Sequence, residues 1–437
     1  MRDLFVTLIV FGLLPMILAR PYVGVLLWSW IGYMNPHRLG WGFAYNFPFA
    51  MLIGLVTIIG ILFSKDPKRL PKDRIVYLLV IFNIWILITT ALALDSAYAW
   101  VDWDKVVKVQ LITFITLMLI NSRERIHLLV TVIALSLAFY GVKGGIFTVL
   151  TGGQFHVVGP EGSFISGNTE IALALVMTLP LLRYLQLSFE KKWMQWAMLG
   201  AALLSMVAIV GSYSRGAFLA AAAMIFVLWY KSKQKLLIGG MMFLGVIVMF
   251  AFMPDKWSDR MGTIETFEED KSAMGRINAW YFAFNLAKDR PLIGGGFGAF
   301  DRRYFKIYAP EPDNFHDAHS IYFEILGEQG FVGLGLFLLI IFLTWRTGNH
   351  IMRITKGNDE LKWANDLAMM VQVSLAGYIV GGAFLGLAYF DLLYHLIAIM
   401  VLTKMVVLKH LEEHGGTTLQ EPPVIQRPPS GRRQRLP

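Results

Sequence analysis

Apolar runs near the length that crosses a hydrocarbon core of about 30 Å recur through most of the chain. They fall at about 4–34 (broken at Arg20-Pro21), 48–63, 75–93, 106–120, 126–150, 169–187, 193–211, 215–230, 235–252, 321–345, 364–388 and 391–408, with short polar punctuation between them. Runs of this length and frequency lead to an all-α fold, a polytopic transmembrane bundle of about 12 helices. Composition agrees: 56% of the 437 residues are hydrophobic and 16% charged, against about 25% charged in soluble proteins. The first run has no small-residue cleavage pattern and flows into more apolar sequence, so it is expected to be retained. No soluble catalytic domain is visible. With no cysteine, thiol nucleophiles, zinc thiolates and dithiol redox chemistry are excluded.

The loops alternate in charge. "SKDPKRLPKDR", "NSRER", "EKKW", "YKSKQK" and "RTGNHIMRITKGNDELK" are rich in Lys and Arg and the loops between them are not, so the positive-inside rule assigns these five to the cytoplasm. Both termini are then inside if 4–34 crosses once, and the N-terminus is outside if it crosses twice. Residues 1–410 make one transmembrane domain, in which the outward loop 254–320 far exceeds its neighbours. Loops of that length are functional or disordered. Here "GRINAWYFAFNLAKDRP" places Ile277, Trp280, Tyr281 and Phe284 at helical spacing, the pattern of an amphipathic interfacial helix. Residues 411–437 are polar, proline-rich and basic, and read as a disordered cytoplasmic tail. The net charge of +9 fits the positive-inside bias and contact with membrane lipids rather than nucleic acid.

Polar groups converge in three places. In "GSYSRGAFLAAAAM" an apolar helix ends and a small-residue helix begins, with Tyr213 in the turn and Ser214 as N-cap. The free N–H groups and the dipole of a helix start, with Arg215 beside them, favour a phosphate or carboxylate. The alternative is an arginine that snorkels to the headgroups; its position between two apolar runs favours function. Arg276 opens the helix of the long loop and, taken alone, is a surface arginine. Two arginines on one cleft would grip phosphate oxygens as planar forks. "PLIGGGFGAFDRRY" looks like a phosphate-cradling loop but lacks the flanking pattern of a P-loop or dinucleotide fingerprint. Its glycines read as turn-makers, with Arg302 and Arg303 as further anion contacts.

"NFHDAHSIYFEILGEQG" places His316 and His319 among Asp313, Asp317 and Glu324 directly before a long apolar helix. The spacing matches no familiar zinc pattern, so no metal is assigned. "DWD", Asp102 to Asp104, imitates a metal motif of nucleotide-sugar transferases and reads as chance in an outward loop.

In ordered combination, "SRG" at a helix start, the long loop with "GR" and "PLIGGGFG", and "AHSIYFEILGEQGFVGLGLF" at a helix entry resemble the O-antigen ligase and polymerase superfamily, over roughly Ser212 to Phe337. The opening "MRDLFVTLIVFGLLPMILARPYVGVLLWSWIGYMNPHR" is similar to the subgroup of exosortase-associated O-glycosylation ligases. The resemblance implies a helical bundle of the lipid-donor glycosyltransferase kind with a large periplasmic loop. It also implies a site at the periplasmic face of the bacterial inner membrane, a glycan on undecaprenyl pyrophosphate as donor, and lipid A-core as acceptor. Its functional histidine, followed by Ser or Asn, an aromatic and a downstream Glu-x-Gly, corresponds to His319. His319 is then the base, Arg215 and Arg276 hold the pyrophosphate, and Tyr213, Ser214, His316, Arg302 and Arg303 bind substrate, without metal or cofactor. The alternatives are an O-antigen polymerase, with a second lipid-linked glycan as acceptor, and a ligase that places glycan on protein. A lipid-glycan flippase should show internal repeats and ionisable residues near the midplane, whereas here the convergent charges lie in the outer loop and no repeat is evident.

Overall fold

A computed structural model describes residues 2–232, 235–236, 239–240, 252–262 and 271–414. Most of the apolar run at 235–252, residues 263–270 of the long loop and the tail from 415 lie outside the described residues. The elements are helices α1 (Arg2–Ala19), α2 (Tyr22–Met34), α3 (Phe49–Phe63), α4 (Arg74–Ala91), α5 (Ser96–Leu119), α6 (Arg123–Leu150), α7 (Asn168–Ser188), α8 (Lys192–Val210) and α9 (Arg215–Lys231). They continue with α10 (Asp255–Gly262), α11 (Lys271–Asp289), α12 (Arg302–Tyr308), α13 (Ile321–Ile354), α14 (Lys362–Gly381) and α15 (Asp391–Glu413), and no strand is present among the described residues.

The chain is thus an all-helical, polytopic membrane protein. Eight of these helices are long and apolar enough to cross a membrane: α1, α4, α6, α7, α8, α13, α14 (with the turn after it) and α15. Among the described residues, which leave out most of the run at 235–252, that measure gives fewer than the expected count of about 12, for identifiable reasons. The α2, α3 and α9 helices have 13, 15 and 17 residues, and α5 carries Asp102, Asp104, Lys105 and Lys108 along its first half. The break at Arg20-Pro21 is a reversal. Arg2 Nη1 donates to the Leu39 carbonyl at 3.0 Å, so α1 begins where α2 ends, and a Cβ on Gly60 of α3 would lie 2.7 Å from the Ile17 carbonyl. The first 34 residues therefore form a helical hairpin, of which α1 is long and apolar enough to cross a membrane.

The most buried helices are α7, α14 and α15. From Ile171 to Leu182 every residue of α7 is buried, as expected of a helix apolar on all sides. Close approach is achieved with small residues, as membrane helix pairs require: a Cβ on Gly145 of α6 would lie 2.2 Å from the Leu204 carbonyl of α8. Polar contacts tie the basic loops into one end of the bundle, with ion pairs from Arg125 to Asp66 at 3.0 Å and Lys404 to Asp73 at 2.6 Å, and His410 Nε2 lying 3.2 Å from Glu360. The opposite end is built from the segments around 92–95, 151–167, 211–214, 290–320 and 382–390.

The helix of the long loop packs one face on protein and turns two of its large aromatics outward. Ala279, Phe282, Ala283, Leu286 and Ala287 of α11 are fully buried, the first four clustered with Ala299 and Phe305, while Tyr281 and Phe284 are 56% and 42% exposed. Trp280 stacks on Phe323 with ring centres 5.1 Å apart, against protein rather than in an interface. The alanines explain the phase. A small-residue stripe lets α11 approach the start of α13, where a Cβ on Gly327 would stand 3.4 Å from that of Ala283.

The α13 helix is interrupted at Gly330, whose φ of 67° and ψ of −171° only glycine adopts readily. A side chain there would also meet Leu292 O at 2.3 Å and Gly294 N at 2.9 Å. Gly330→Ala is therefore expected to destabilise the protein by more than about 2 kcal/mol. The thermal midpoint in detergent should fall well below that of Gly335→Ala, a control in the same helix where nothing lies within 4 Å. Equal midpoints would contradict this account.

Candidate active site

The interruption at Gly330 frees carbonyls of the short segment 321–329, and the glycine-rich loop satisfies them. Gly295 N donates to Gly327 O at 2.8 Å, Gly296 N to Glu328 O at 2.9 Å, and Phe331 N to Pro291 O at 2.9 Å. The turn conformations that this needs fall on Gly294, Gly296 and Gly298, all with positive φ. The glycines thus dock backbone against backbone, as their turn-making reading requires.

Side chains lock the same segment. Gln329 is fully buried and accepts from Thr89 Oγ1, while its amide donates to Tyr389 Oη at 3.0 Å. Tyr389 Oη donates in turn to Glu328 Oε2 at 2.8 Å, Trp85 Nε1 donates to the Gln329 carbonyl at 3.0 Å, and Ala388 N donates to Glu324 Oε2 at 3.2 Å. A connected buried network of this kind holds its members to one geometry. Here it aims Glu324 and Glu328 at a cavity of about 420 Å³.

His319 reaches that cavity from the loop that ends at Ser320, the N-cap of α13. Asn278 fastens the loop by donating to the carbonyls of Glu311 and Asn314 at 2.8 and 3.0 Å, and Trp280 Nε1 donates to Ala318 O at 2.8 Å. His319 has φ of 41°, one of three non-glycine residues in the left-handed region among the described residues, with Asn35 and Tyr213. Strained backbone of this kind gathers at functional sites. Burial holds the imidazole below its ordinary value, with the Arg276 guanidinium as the next cause, outweighing Asp317 and Glu170, which act the other way. The imidazole of His319 therefore stands in its unprotonated form at neutral pH, with a ring nitrogen able to accept a proton. His316 is turned elsewhere: its ring stands over Gly275, and its Nδ1 lies 2.6 Å from Phe315 O.

The cavity is acidic. Asp95 and Asp102 enter from the start of α5, Glu170 from the start of α7, and Asp301, Asp317, Glu324 and Glu328 from the loops and α13, against the single arginine Arg303. Arg303 pairs with Asp95 and Asp301 at 2.5 and 2.8 Å. These bonds push both half-buried carboxyls below the ordinary range. Its charge is committed to carboxylates in this state, while Arg302 lies over the Phe315 ring at 5.7 Å.

The turn before α9 is a second polar centre. Ser214 Oγ caps the helix by accepting from Ala217 N at 3.2 Å, Ser212 Oγ accepts from Ser214 N at 3.2 Å, and Asn168 donates to the Ser212 carbonyl at 2.8 Å. Tyr213, with φ of 58°, donates to Gly153 O at 2.5 Å and packs its ring on His156 at 4.5 Å. Tyr213 and Ser214 thus shape the turn that presents Arg215.

Of the residues singled out from the sequence, His319 and Arg303 line the cavity, Arg276 acts electrostatically on His319, and Arg215, Tyr213, Ser214, His316 and Arg302 do not line it. Asp95, Asp102 and Glu170 were not anticipated there. Asp102 belongs to the "DWD" read as chance; no local pattern marks it, since the cavity joins residues remote in sequence. Among the described residues no group of three or more His, Asp or Glu is arranged to hold a metal ion.

Residues 200–338 match the family described as O-antigen ligase. Residues 1–189 match a family of unknown function, DUF5935. No curated protein matches the chain.

Proposed function

We propose that this chain, a member of the O-antigen ligase superfamily through residues 200–338, transfers a glycan from undecaprenyl pyrophosphate to a hydroxyl of lipid A-core oligosaccharide at the periplasmic face of the inner membrane. The observation that carries the reading is His319, neutral, in an acid-lined cavity and within the field of Arg276. A lining of seven carboxyl groups with one arginine disfavours a pyrophosphate and offers oxygens that accept hydrogen bonds from sugar hydroxyls. The cavity is thus the acceptor side, and the donor phosphates lie toward Arg215 and Arg276.

The acceptor hydroxyl gives its proton to the free imidazole nitrogen of His319 as its oxygen attacks the anomeric carbon. The bond from that carbon to the phosphate oxygen breaks, the configuration inverts, and undecaprenyl pyrophosphate leaves with its growing charge met by the two guanidinium groups. The step forms one glycosidic bond, needs neither metal nor cofactor, and uses no carboxylate as a nucleophile. The fold that serves it is of the lipid-donor glycosyltransferase kind, multi-pass in the inner membrane, with residues 1–410 as the catalytic domain.

The test is a reconstituted assay with a purified lipid-linked glycan, offered lipid A-core, a second lipid-linked glycan or a peptide in parallel. Product on lipid A-core alone is expected. Product only on the second glycan would make the protein a polymerase, and product only on the peptide a protein glycosyl ligase.

A further inference from the structure

We propose that a groove on the outer side of α6 and α8, away from the cavity, binds one anionic phospholipid, with its phosphate on Lys143. The groove has a volume of about 550 Å³. Its lining is the one-face stripe of α6 from Leu135 to Ile146, Lys143 included, and Ala201 of α8. Leu135, Phe139 and Ile146 are 43%, 37% and 45% exposed although fully apolar, the signature of a face turned to lipid. The groove shares no residue with the acidic cavity.

Lys143 is the anomaly on this face. It is exposed, and it is the only Lys, Arg, Asp or Glu between Arg125 and the end of α6. Among the described residues it has no hydrogen-bond or ion-pair partner. An ionisable group on an apolar span is costly and needs a reason. Seven residues separate Lys143 from Leu150, about 10 Å of helix. Its stem can therefore carry the ammonium toward the phosphate level of the leaflet at the cavity end. A chain lying from there toward Leu135 follows the apolar stripe into the hydrocarbon. Charge decides the occupant: one lysine matches the single negative charge of a phosphodiester lipid, whereas a pyrophosphate would leave charge unmet. The inference does not depend on the proposed glycosyl transfer.

The test uses the full-length protein, stripped of lipid in detergent and titrated with phosphatidylglycerol, phosphatidylcholine or undecaprenyl phosphate, with retained lipid counted by native mass spectrometry. The wild type should hold one phosphatidylglycerol in preference to phosphatidylcholine. Lys143→Met should weaken that binding about fivefold, the worth of one cation near an anionic headgroup, and Lys143→Arg should preserve it. Ala201→Trp, which keeps the lysine and fills the groove, should also lose the lipid and serves if Lys143→Met does not insert. Equal retention by the wild type and Ala201→Trp, equal binding of the two phospholipids, or preference for undecaprenyl phosphate would each overturn the proposal.

Discussion

Replacing His319 with alanine removes glycan transfer while leaving donor binding nearly intact. The expected loss is at least 10²- to 10⁴-fold, on the order of what a positioned base contributes, and it should appear in kcat because the proton moves only in the transition state. His316→Ala should be milder, since that ring packs over Gly275 outside the cavity. The pH profile gives a second readout. A base works unprotonated, so activity falls as pH drops through the imidazole pKa. Burial and Arg276 hold that pKa below the ordinary imidazole value, and the acid limb of the wild type should lie correspondingly low. Transfer by His319→Ala at a rate near the wild type would reduce the residue to a structural role. Loss of wild-type activity to a chelator, restored by a divalent ion, would instead make the cluster a metal site.

Removal of either Arg215 or Arg276 should cost about a hundredfold or more, the scale for a group that neutralises charge on a leaving group. Lysine at either position restores the charge but not the planar fork, so only part of the loss should return. The two arginines should also differ from each other. Arg276 lowers the His319 pKa; in Arg276→Gln that cause is gone and the acid limb should move to higher pH. Arg215→Gln should lose rate without that displacement. Normal turnover in well-inserted alanine variants of both would remove them from the donor site.

The helices were legible because a spanning segment repeats one signal for some twenty residues, and the frame around His319 because it is contiguous. Contacts between distant segments were not. Arg303 read as an anion contact, and nothing near it announced that Asp95, 208 residues away, would claim its guanidinium. Asp102 and Glu170 sit in unremarkable helix starts and acquire meaning only where α5 and α7 meet the loop before α13. The side of α11 that packs on protein was not legible, because it is carried by Ala279 and Ala283, whose small size decides which face can approach a neighbour. Gly330 belonged to a recognised string, yet a string does not reveal that the helix breaks there.

That break has a consequence for how such proteins can be recombined. The short segment before it is oriented by Trp85 and Thr89 from one side and by Ala388 and Tyr389 from the other, all four outside the span that matches the ligase family. The recognisable stretch is therefore not a transplantable cassette. Its Gln329 is held by a partner 240 residues upstream, and its glutamates by partners about 60 downstream. A chimera that preserves chemistry has to carry those partners with it, and substitutions at Gln329 and Tyr389 have to change together or not at all.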